Sequence, residues 1–68
     1  MFQMDAKAIG KKLVALRGEK TQEEVANALG ISVSALSMYE RGERIPRDNI
    51  KIRISSYYGK PVHSIFFE

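Results

Sequence analysis

Within residues 21–46, TQEEVANALGISVSALSMYERGERIP, two helix starts and one helix stop crowd so closely that only a sharp corner fits between them. Thr21 stands three residues ahead of Glu24, the spacing of a capping box in which each residue closes an orphan amide of the other. Val25, Ala26 and Leu29 then share one helical face. Gly30 follows the last periodic residue, where a left-handed C-cap conformation favours glycine. Ser32 already stands in place to cap the next helix. A short helix, a tight corner and a second short helix are therefore expected over residues 21–41, with arginines trailing the second.

Size makes that pair the centre of a small domain. Sixty-eight residues hold one small domain, expected over 1–68, and the hydrophobic fraction of 44% suits a globule. There is no cysteine, so disulfides and thiolate zinc sites are excluded, and the single histidine, His63, builds no metal site alone. No metal or cofactor is expected. No apolar run approaches the ~20 residues of a membrane span. The N-terminal MFQMDAKAIGKK has neither a basic n-region nor an apolar h-region, so a cytoplasmic location is expected.

The flanking elements are less uniform. A first helix is expected to start near Asp5 and end at Gly18, with Ile9, Leu13 and Leu16 on one face. Gly10 inside it weakens the helix by about 1 kcal/mol relative to alanine. Residues 50–54 alternate strictly, and Ile50, Ile52 and Ile54 are β-branched, so alone they read as a strand. Helix is favoured on context, because Ile50, Ile54 and Tyr57 also sit at helical spacing and a lone strand would leave its backbone unpaired. Gly59 ends that element, and Pro61 suits the first turn of a last short helix carrying Val62, Ile65 and Phe66.

Function is concentrated on the helix after Ser32. One of its arcs, with Leu36 and Tyr39, is apolar and faces the core. The opposite arc, Val33, Ser34, Ser37 and Met38, is small, weakly polar and free of acids, and ends at Arg41. A solvated helix would normally carry Glu and Lys there. Such an arc suits a surface that repels carboxylates, as the floor of a DNA groove does. The charge pattern agrees in outline: Arg41, Arg44, Arg47, Lys51 and Arg53 crowd one stretch, with Lys7, Lys11, Lys12 and Arg17 near the start. The net charge of +3 and pI near 9.5 fit a basic face but fit ordinary solvated helices as well.

Gln22-x-x-Val25-Ala26-x-x-x-Gly30-Ile31-Ser32-x-x-x-Leu36-Ser37-x-Tyr39-Glu40-x-Gly42-x-Arg44-x-Pro46 resembles the helix-turn-helix of the XRE family, which includes phage repressors and Cro. The resemblance continues to Gly59–Phe66 and implies a bundle of five α-helices of the lambda-repressor-like type. It implies a sequence-specific DNA-binding transcriptional regulator, most simply a repressor, whose third helix enters the major groove of double-stranded DNA. By position, Ser32, Val33, Ser34, Ser37 and Met38 would face bases, and Thr21, Gln22, Arg41 and Arg44 would contact phosphates. Arg17 and Glu40 resemble the family's partly buried ion pair, and Ala26 the small residue where the two helices cross.

Two departures qualify the match. Only Gly18, Glu19 and Lys20 separate Arg17 from Thr21, about two residues fewer than in many members, so this corner should be tighter. Val33 and Met38 replace the glutamines that often read adenine, which limits direct readout and shifts weight to DNA shape or a partner subunit. Capping is the alternative role of Thr21 and Gln22, and core filling that of Met38. Ile52, Phe66 and Phe67 exceed what a tiny core easily hides, which points to a homodimer through the C-terminal helix. A small protein-interaction module, such as an antitoxin that regulates its own gene, is the alternative function. An enzyme is not expected, because Ser34 and Ser37 have no histidine at workable spacing and no glycine loop cradles phosphate. No small-molecule ligand is evident.

Overall fold

Asp5 opens the first helix by accepting hydrogen bonds from the Lys7 and Ala8 amides at 3.0 and 3.3 Å. In the computed structural model, which describes residues 5–67, five helices follow: α1 (Ala6–Arg17), α2 (Gln22–Leu29), α3 (Val33–Glu40), α4 (Asp48–Tyr58) and α5 (Val62–Phe66). There is no strand among the described residues. The fold is all-α, as the sequence leads one to expect.

The corner between α2 and α3 is built from the residues that signalled it. The Glu24 amide donates to Thr21 Oγ1 at 3.0 Å, and the Thr21 amide donates to Glu24 Oε1 at 3.5 Å. Gly30 takes the left-handed conformation at φ +71°, and the next amide, of Ile31, donates back to the Ala26 carbonyl at 3.0 Å. That bond satisfies a carbonyl that the end of a helix leaves open. Ser32 Oγ then accepts from the Ala35 amide at 3.0 Å, so α3 begins at once.

The alternating isoleucines are helical. Ile54 is fully buried, Ile50 half-buried and Ile52 62% exposed, a split between two faces of a helix, where a strand would have put all three on one face. The first helical residue of α4 is Asp48, preceded by Arg47. Pro61 stands one position before α5, at its N-cap. Ile9, Leu13, Val25, Ala26, Leu29, Leu36, Tyr39, Ile54, Ile65 and Phe66 form the core. This corrects one expectation: Phe66, at 1% exposure, closes the core and leaves nothing for an external surface. In so small a domain α5 acts as the lid on the hydrophobic centre.

Gly10 has a steric reason that periodicity does not reveal. A Cβ there would lie 2.4 Å from the Glu40 carbonyl oxygen and 2.9 Å from that of Tyr39. The missing side chain lets α1 pack directly on the C-terminal end of α3. No described helix is long and apolar enough to cross a membrane.

Gly10→Ala should therefore destabilise the fold by about 1–3 kcal/mol, because backbone on backbone cannot repack and overrides alanine's better helix propensity. Urea denaturation followed by circular dichroism measures this; a stabilised variant would contradict the close packing.

Candidate nucleic-acid interface

The outer side of α3 carries exposed Ser32, Val33 and Ser34, with Ser37 and Met38 half-buried beside them. Val33 is 41% exposed although apolar. The inner side presents Leu36, Tyr39 and Glu40, all buried. No exposed acid stands on this helix, since its one carboxylate, Glu40, is turned inward.

Glu40 is the polar hub of the site. Its side chain is only 3% exposed. It accepts from Arg17 Nε at 2.8 Å and Nη2 at 3.2 Å, and from Gln22 Nε2 at 2.8 Å. The hydrogen bond and charge of Glu40 raise the Arg17 pKa above its ordinary value. Arg17 Nη1 also donates to the Lys20 carbonyl at 2.8 Å. One guanidinium thus fastens the short α1–α2 corner and reaches α3, so the abbreviated connection is closed by the same arginine that makes the ion pair. Gln22, at the first position of α2, is half-buried because its amide is already engaged.

The loop leaving α3 carries the exposed cations. Arg41 forms a two-bond pair with Glu43, Nε to Oε2 at 3.0 Å and Nη2 to Oε1 at 3.1 Å. Arg44 is exposed and has no carboxylate in ion-pair range among the described residues. Gly42, at φ +73°, bends the chain between them, and a Cβ on it would come within 2.9 Å of Lys7 Cα. That contact brings exposed Lys7 of α1 against Gly42 in this loop. Thr21 is exposed, but its hydroxyl is occupied by the capping box.

Two of the clustered cations have structural partners instead. Lys51 is 7% exposed, with its ammonium 5.8 and 5.2 Å from the ring centres of Phe66 and Phe67 and 3.5 Å from Asp48. Arg53 Nη1 donates to the Leu29 carbonyl at 3.1 Å, closing the end of α2. Sequence proximity put them in one basic stretch; the turn of α4 takes them away from the α3 loop. Glu43 escaped notice because its pairing with Arg41 depends on a turn rather than on helical spacing. Tyr58 was missed as well: its hydroxyl is enclosed near Glu40 and has no hydrogen-bond partner among the described residues.

A short helix held at a corner, with an open acid-free face and a cationic exit loop, defines an all-α helix-turn-helix domain. A family model described as helix-turn-helix matches residues 11–65, and the chain belongs to that family, of the XRE type. Over 45 residues it is 51% identical to an uncharacterized HTH-type transcriptional regulator, YazB, of Bacillus subtilis (strain 168). The match covers 63% of this chain and 65% of that relative, just under two thirds of its length.

Burial, and after it the charge of Glu40, pushes the Tyr58 hydroxyl up to about 12. The unfolded chain releases that proton near its ordinary value of about 10, so between the two values the folded state holds more protons. Stability should fall as pH rises through this window. Denaturation midpoints of the parent and of Tyr58→Phe should diverge there, with the variant less sensitive to pH; parallel curves would refute the shift.

Proposed function

We propose that this protein is a sequence-specific DNA-binding transcriptional regulator, a repressor of the cytoplasm, that inserts α3 into the major groove. The observation that carries it is the acid-free outer face of α3, followed by a loop with exposed Arg41 and Arg44 whose Gly42 packs against Lys7. Ser32, Val33, Ser34, Ser37 and Met38 meet base edges in this reading, while Thr21, Gln22, Arg41 and Arg44 meet phosphates. Phosphate contacts position the domain and base contacts specify the sequence. Valine and methionine offer only apolar contact to a thymine methyl, and serine bonds to several edges, so local DNA shape contributes to selection. The relative from Bacillus subtilis is named a transcriptional regulator, which supports the same reading. Regulation is by occupancy, with no chemistry.

A homodimer on a palindrome completes the proposal, with half-sites about one helical turn apart. Since Phe66 is internal, the surface available beside α5 is exposed Ile52 with half-buried Val62 and Phe67. Sedimentation of the protein with and without DNA tests it, and a monomer in both conditions would exclude the dimer.

Arg41→Ala and Arg44→Ala should each weaken binding to every duplex and flatten the slope of log affinity against log salt by about one unit. Val33→Gln should change sequence preference in a random-pool selection while leaving the fold intact. Absence of binding by the parent even at low salt would exclude the function. An Arg41→Ala change in base preference with an unchanged salt slope would reverse the assigned roles.

A further inference from the structure

The buried carboxylate of Glu40 touches no surface a ligand could reach, yet it holds the side chain of a residue that stands at the surface. Gln22 Nε2 donates to Glu40 Oε1 at 2.8 Å, and Arg17 supplies two further bonds to the same carboxylate. A terminal amide carries two N–H groups. Here one is fixed on Glu40, and the other remains for an oxygen outside the protein. Arg17 neutralises Glu40, so the carboxylate orients an amide beside DNA without repelling the phosphate. A glutamine already held in one rotamer loses little side-chain entropy on binding.

Resting on the DNA-binding reading above, we propose that Glu40 is a positioning residue for phosphate recognition: it presents the second Gln22 N–H to the DNA backbone, and Arg17 makes this presentation electrostatically tolerable. The chain of contacts runs from α1 through the end of α3 to the start of α2. The phosphate contact therefore depends on a residue that never meets DNA.

Sign makes this testable. Removing a carboxylate from a DNA-binding protein ordinarily strengthens binding; here its removal weakens it. Affinity for a fixed duplex is measured across salt for the parent, Gln22→Ala, Glu40→Ala, Glu40→Gln and the Gln22→Ala/Glu40→Ala double variant, each checked for folding by circular dichroism. Glu40→Gln covers the case in which alanine unfolds the domain, since its one carbonyl oxygen goes to the charged Arg17 and leaves Gln22 unheld. Gln22→Ala and both Glu40 variants should bind about fivefold more weakly near physiological salt, and the slope for Gln22→Ala should stay that of the parent, because a neutral amide releases no counterion. The double variant should be no weaker than Gln22→Ala. Tighter binding by the Glu40 variants overturns the proposal, as does an equal loss with and without Gln22. If Gln22→Ala changes nothing while Arg41→Ala weakens binding, positioning fails and the DNA-binding reading stands. If the parent binds no DNA, both fall.

Discussion

A single buried carboxylate ties the molecule together. Glu40 sits at the end of α3, receives Arg17 from α1 and Gln22 from the start of α2, and is almost wholly removed from solvent. Left without partners, a charge so placed would destabilise the fold by about 3–5 kcal/mol. Helices α1, α2 and α3 therefore hold one mutual arrangement or the charge is stranded. Gly10 acts in the same place: it lets α1 approach the Glu40 backbone closely enough for Arg17 to arrive.

This matters because the helix that would face DNA cannot hold itself. α2 and α3 are eight residues each, and isolated helices below ~12–15 residues are marginal in water. Their direction comes from caps at the corner and from Leu36 and Tyr39 seated in the core. Ala26, small and buried, lies in the same core. Apart from Ser32, which caps α3, and half-buried Ser37 and Met38, the outer arc is left open, as Val33 and Ser34 show.

The cations divide by tertiary role. Arg41 and Arg44 stand in the open on the loop after α3, although Arg41 is held by Glu43. Lys51 covers two phenylalanine rings and Arg53 closes a helix end. Fixed partners give these two structural duties that charge alone would not disclose. A basic composition is therefore a poor guide to a basic face.

Much of this was legible in the chain because it is local. Thr21 with Glu24, Gly30 and Ser32 act through neighbours three or four residues away, so spacing and residue type identify them. The amphipathic split of α3 is legible for the same reason. Other features are not local. Residues 50–54 satisfy both strand and helix periodicity, and packing of Ile54 beneath α2 and α5 selects the helix. Phe66 counts as surplus apolar surface by sequence alone, because its burial depends on how α5 folds back across the core. Gly10 looked like a defect until α3 lay against it, and Gln22 joins Glu40 across 18 residues of sequence. The sequence alone determined the caps, the corner and the acid-free arc, since these need only near neighbours. The tertiary structure alone decided which side chains are enclosed and which charges are engaged, since burial and pairing arise only when distant segments meet.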